Sequence, residues 1–219
     1  MGSKLVILKD KDFLYRYSRV LFAATFLVLF ICFNCMSSDR FWTWRNFKSI
    51  VFAAFPLMMV AYGQTMVLLT RGIDVSLGAV VSLANVVCVS LMKPESQTGW
   101  VMAVLGAVAA GAACGGLNGF IIAQFRLAPM IVTIAMTVVY SGLALYVMPM
   151  PSGSVHSGFG NLMRKTWFNI PLALLFIVIL IIAARLLTNS TSFGRQLRAV
   201  GGNEESAYST GINVKWVKI

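Results

Sequence analysis

Few residues in this sequence are of types that do chemistry, and they lie far apart. Cys32 and Cys35 form a Cys-x-x-Cys pair, a spacing that elsewhere serves redox chemistry or holds a metal. Here the pair sits inside an apolar run with no second Cys or His pair near it, which favours packing. His156 is the only histidine. Without a neighbouring carboxylate or thiol it reads as a solvated loop residue. Seven Asp and Glu residues in 219 are too few for acid/base pairs, and no Walker A, His-Glu-x-x-His or Gly-x-Ser-x-Gly pattern occurs. No enzymatic activity, cofactor or metal is expected.

Two polar stretches remain. Thr70-Arg71-Gly72-Ile73-Asp74-Val75-Ser76-Leu77-Gly78 interrupts a long apolar region. Gly72 offers a backbone reversal, and Asp74 is placed to cap the following helix. The stretch reads either as a plain cytoplasmic turn or as a break beside a permeation path, because charges near hydrocarbon are costly and tend to mark such paths. The second stretch, Ser190–Ile219, reads as a loop, a helix of about two turns and a stop. Gly201 and Gly202 release the chain from any preceding helix, Asn203 is an N-cap, and Glu204 and Glu205 favour the positive end of the helix dipole. Gly211 supplies a left-handed stop. With almost no apolar stripe of its own, this helix is expected to dock on something else.

The elements that carry these stretches are hydrophobic. The chain is 58% hydrophobic and 11% charged, against about 25% charged in soluble domains, and its mean hydropathy is +0.81. Apolar runs of bilayer length recur throughout. The fold class is therefore an all-α, polytopic transmembrane helical bundle of about six spans. A polar segment, 1–19, with Lys4, Lys9, Lys11, Arg16 and Arg19, precedes a bundle over 20–187 and a segment over 188–219. The expected spans are Val20–Met36 (an uncleaved anchor), Phe47–Leu69, Val75–Met92, Trp100–Gln124, Met130–Met148 and Pro171–Leu187. Phe41, Trp42, Trp44 and Trp167 suit membrane interfaces. Lys93–Gly99 and Pro149–Phe168 read as outer loops.

The net charge of +11 lies mostly between spans, so it sets orientation and does not suggest nucleic acid. The positive-inside bias puts the N-terminus in the cytoplasm, with Arg40, Arg45 and Lys48 as outer exceptions. In the fourth span Ala103, Ala107, Gly111, Gly115 and Gly119 recur every four residues, a small-residue face for close helix packing. Asn118 beside it needs a partner within protein, and Thr133 is available for bonds between helices. Pro129 suits the first turn of the fifth span.

Together these stretches resemble the permease subunits of bacterial ABC importers for ribose, galactose, xylose and related sugars. The resemblance rests on Thr70 to Ala79, Gly116-Leu117-Asn118-Gly119, Pro129 to Thr133, and Phe193-Gly194-Arg195 through Gly201-Gly202-Asn203-Glu204-Glu205-Ser206-Ala207 to Gly211-Ile212-Asn213-Val214. It implies an inner-membrane assembly with a second permease chain, ATP-binding subunits and a periplasmic substrate-binding protein. It also implies that 201–212 is the coupling segment, with Asn203, Glu204, Glu205 and Ala207 as contacts and Asp74, Asn118 and Thr133 as pathway or structural positions. Such permeases continue through further spans, so the chain resembles an N-terminal part. Related importers of branched-chain amino acids or an autoinducer, or a fragment that binds partners without transporting, are the alternatives.

Overall fold

In the computed structural model, residues 2–92, 99–167 and 170–219 are described. The side chains of Lys4, Lys9, Lys11, Arg16, Arg19 and Trp167, residues 93–98 of the first expected outer loop, and Phe168 of the second lie outside the described residues. The chain divides into two compact units, residues 1–50 and 51–219.

The first unit is built on α1 (Gly2–Ser37) and the start of α2 (Trp44–Leu69). The polar N-terminal segment does not stop short of the first span: helix runs unbroken through both. Cys32 and Cys35 are free thiols one turn apart on α1, and Cys32 is exposed. Thr43 starts α2, its Oγ1 accepting the Asn46 N–H at 3.4 Å, so the side chain serves an amide that no helical carbonyl reaches.

The second unit holds α3 (Leu77–Leu91), α4 (Gly99–Phe125), α5 (Pro129–Val147), α6 (Ser157–Arg164), a two-residue antiparallel ladder of β1 (Thr166–Trp167) and β2 (Ile170–Pro171), α7 (Leu172–Ser190), α8 (Ser192–Gly202), α9 (Glu204–Ser209) and α10 (Val214–Lys218). Five helices among the described residues are long and apolar enough to cross a membrane, and α3 is a shorter apolar helix. The expected third span is thus trimmed, because Val75 and Ser76 are not helical. Pro129 takes the first helical turn of α5.

Helix α3 packs against both α4 and α5. Its Ala79 and Leu83 meet Cys114 of α4 and Tyr140 and Ala144 of α5 in one buried cluster. A second cluster joins Val51 of α2 to Ala173 and Ile177 of α7. Most other apolar side chains are exposed, as a lipid-facing surface requires.

Within this chain the four-residue face is packed at its ends and open in its middle. Ala103 is fully buried and a Cβ on Gly119 would stand 2.7 Å from Lys218 O, whereas Gly115 is exposed and a Cβ on Gly111 or Gly115 would meet nothing within 4 Å. A helix repeats every 3.6 residues, so a strict four-residue stripe drifts off the face that its neighbour covers.

His156 lies in the loop just before α6, half-buried, and its Nδ1 accepts the Gly158 N–H at 3.0 Å.

Candidate functional site

The break before α3 is built on the end of α2. The Arg71 N–H donates to Leu68 O at 3.0 Å and the Gly72 N–H to Val67 O at 3.0 Å, the paired bonds that close a helix through a left-handed residue. That residue is Arg71, at φ 60°, and not the expected Gly72. Gly72 is buried, and a Cβ there would stand 2.9 Å from Val67 Cγ1; it is a close-approach glycine. Left-handed backbone costs a residue with a Cβ about 1 kcal/mol. Arg71→Gly should therefore raise stability by about 0.5–1 kcal/mol, read as a higher melting temperature in detergent.

The next residues form a polar knot. Asp74 does not cap α3 as expected. Its Oδ1 accepts the Ser76 N–H at 2.8 Å and the Ser76 hydroxyl at 2.7 Å, a local turn two residues long. Asn118 of α4 donates through Nδ2 to Ser76 Oγ at 2.8 Å. The Tyr140 hydroxyl of α5 lies 2.9 Å from Asn118 Oδ1 and 2.9 Å from Cys114 O, so it donates to either. Nearby, Thr133 Oγ1 accepts the Val75 N–H at 3.1 Å and lies 3.3 Å from Ile73 O.

Read as a chain, Tyr140 donates to Asn118, Asn118 to Ser76, and Ser76 to the Asp74 carboxylate. All donors point one way, so each bond polarises the next. Ser76, Asn118, Thr133 and Tyr140 are buried, none more than 4% exposed. Buried polar groups in lipid demand this degree of pairing.

The structure thus brings together Asp74, Asn118 and Thr133, which the sequence picks out singly, and adds Ser76 and Tyr140. Ser76 was signalled by its place two residues after an Asp, and Tyr140 by lying two helical turns from Thr133. Against the knot is a cavity of 300 Å³, lined among others by Thr70, Asp74, Asn118, Thr133 and Trp216.

The second polar segment, Ser190–Ile219, differs from its expected form at its start. Residues 192–202 are a helix, α8, not a loop, and Gly201 and Gly202 are its last turn. Leu197 and Val200 are buried at 3% and 1% exposure. Gly201 is buried, and a Cβ there would overlap the carbonyl oxygen of Leu69; α8 rests against the end of α2 at that point.

The rest of the segment is capped as its residues predict. Asn203 Oδ1 accepts the Ser206 N–H at 3.0 Å, and Glu204 and Glu205 occupy the first turn of α9. Gly211, at φ 86°, ends it, with Gly211 N–H to Tyr208 O at 2.9 Å and Ile212 N–H to Ala207 O at 3.1 Å. However, α9 has six residues, less than two turns, and it is anchored within its own chain. Ala207 is 3% exposed, its side chain packed within this chain.

Asn203, Glu204, Glu205, Gly202 and Gly211 are exposed. Glu204 pairs with Lys218 of α10, and Lys215 Nζ donates to Gln124 of α4 at 3.1 Å. The end of α10 presses on α4: a Cβ on Gly119 would stand 2.7 Å from Lys218 O and Ile219 Cα. Between α9, α10 and the α4–α5 turn lies an open cleft of 1310 Å³, lined by Arg126, Glu204, Glu205, Tyr208 and Lys215 among others.

The chain was compared with known proteins. The D-allose transport system permease protein of Escherichia coli strain K12 is 30% identical over 198 residues, 88% of this chain and 60% of that protein. The ribose import permease protein of the same strain is 33% identical over 201 residues, 88% of this chain and 61% of that protein. The L-arabinose ABC transporter permease protein of Azospirillum brasilense is 30% identical over 195 residues, 89% of this chain and 57% of that protein. The chain therefore spans 57–61% of the length of these relatives. No solved structure matches it. Residues 46–219 match the family described as the branched-chain amino acid transport system/permease component, and with most of its length matched, the chain belongs to that family of membrane permeases.

Proposed function

We propose that this chain is a membrane-spanning part of the permease subunit of an ATP-driven importer of monosaccharides. It would lie in the bacterial inner membrane with its N-terminus in the cytoplasm, segment 1–19 before the bundle 20–187 and segment 188–219 returning to the cytoplasm. The observation that carries this reading is similarity, across 88% of the chain, to permeases whose names specify D-allose and ribose. Its partners would be an ATP-binding subunit, a periplasmic substrate-binding protein and a second permease chain. The chain's own part is to hold a lipid-facing bundle and to offer an inner surface for force; it contributes no chemical step.

The test is uptake of radiolabelled ribose, allose and arabinose by cells that express the full subunit with its partners. Uptake that requires both ATP hydrolysis and the binding protein supports the proposal. The family's own description favours branched-chain amino acids as the second reading; uptake of leucine and of no sugar would replace the first with it.

Within the inner segment, the exposed Asn203, Glu204 and Glu205 are the contacts we assign to the ATP-binding subunit. The E204K/E205K variant should insert normally but retain less of that subunit on purification, by tenfold or more, since a like charge placed at an interface costs several kcal/mol. Unchanged retention would remove these residues from the contact. Loss of insertion would trace instead to the broken Glu204–Lys218 pair, which the E204K/K218E swap should restore.

A further inference from the structure

The turn joining α1 to α2 carries charge that neither helix packing nor transport accounts for. Arg40, Arg45 and Lys48 fall within nine residues, beside a single acid, Asp39. The only ion pair among the described residues is that of Lys218 with Glu204, so none of these three cations has a carboxylate partner. Arg40 and Arg45 are exposed and Lys48 is half-buried. The proposed orientation places them on the outer side, against the bias that gathers cations inside.

The turn is held by its own bonds. Thr43 Oγ1 donates to Arg40 O at 2.7 Å, Asn46 Nδ2 to Phe41 O at 2.9 Å, and the Phe41 N–H to Ser38 O at 3.1 Å. Aromatic rings stand among the cations. Trp42 is 78% exposed, and Trp44 stacks on Phe47 with ring centroids 4.9 Å apart and planes at 20°. The end of α1 leading into the turn exposes Phe30, Phe33 and Met36. An apolar, lipid-facing helix thus passes directly into exposed tryptophans and then into unpaired cations. Indole rings settle at headgroup level, which sets these three cations at the depth of lipid phosphates.

We propose that Arg40, Arg45 and Lys48, framed by Trp42 and Trp44, form a surface selective for anionic phospholipid. Both phosphatidylcholine and phosphatidylglycerol present a phosphate that a guanidinium binds through paired N–H groups. The choline lipid also brings its own ammonium into a site that already holds three positive charges. Net negative charge is therefore what the surface selects. An acidic soluble protein would answer the charge but would leave the tryptophans and the apolar end of α1 uncovered.

The full subunit, in micelles with equal phosphatidylglycerol and phosphatidylcholine, is transferred to native mass spectrometry and its retained lipids are counted. Phosphatidylglycerol should predominate, and R40Q/R45Q/K48Q should lose the preference by about fivefold for each cation removed. R40K/R45K, which keeps the charge, should retain most of it and shows that the turn tolerates substitution. High salt should weaken the preference in the unaltered protein. Equal retention of the two lipids by the unaltered protein overturns the proposal. So does a preference that survives the triple substitution, or sugar uptake that depends on the three cations while lipid retention does not.

Discussion

Gly201→Ala should lower the melting temperature of the purified protein sharply, while Gly202→Ala one residue later should not. The added methyl at 201 would overlap the carbonyl oxygen of Leu69. That atom belongs to the backbone of α2 and has no rotamer by which to withdraw. Either α8 lifts off the end of α2 or α2 loses its final turn, and Leu197 and Val200, now buried, lose contacts in both cases. Overpacking of this kind costs about 3 kcal/mol, or roughly 6–12 °C for a chain of this size. A methyl at 202 meets nothing within 4 Å, and Ala favours helix over Gly, so that variant should hold or slightly exceed the original. Equal melting temperatures for the two variants would show that α8 does not rest on α2 as described.

The second large effect is expected at Asn118. Its side chain joins Ser76 to Tyr140, so Asn118→Leu removes two bonds between elements and forces a branched chain into their place. Hydrogen bonds between helices in membranes average about 0.6 kcal/mol, which alone would predict a small loss. The steric term and the unpaired Ser76 oxygen raise the expected cost to about 2–3 kcal/mol. Tyr140→Phe should cost less, about 1 kcal/mol, because it deletes a donor without adding bulk. The double variant should be less destabilised than the sum of the two, since both break the same Asn118–Tyr140 bond. Strict additivity in thermal melts would mean that the bond contributes nothing.

What could be read from the chain follows from how local each cause is. Apolar runs declare the helices that face lipid, and Asn203, Pro129 and Gly211 act within one turn of themselves, so their roles are visible in sequence. Gly201 is different. A missing Cβ permits either an unusual φ or a close neighbour, and only the neighbour, the Leu69 carbonyl, decides between them. Arg71 was hidden by the Gly beside it, which is the residue expected to turn left-handed. The apolar spacing Leu197, Val200 of α8 was present in the sequence but diluted by Arg195, Gln196 and Arg198. At the candidate site each of Asp74, Asn118 and Thr133 stood out for being polar in an apolar setting. Tyr140 did not, because an aromatic residue in a span looks like packing until its hydroxyl is seen to have partners.

The length of α3 carries a further consequence. Fifteen residues rise about 22 Å, some 8 Å less than the hydrocarbon of a bilayer. The residues that precede it, Gly72–Ser76, are not helical, so their polar groups lie outside the helical ladder and must find other partners. The Asp74 carboxylate oxygen finds two within three residues, the amide and the hydroxyl of Ser76.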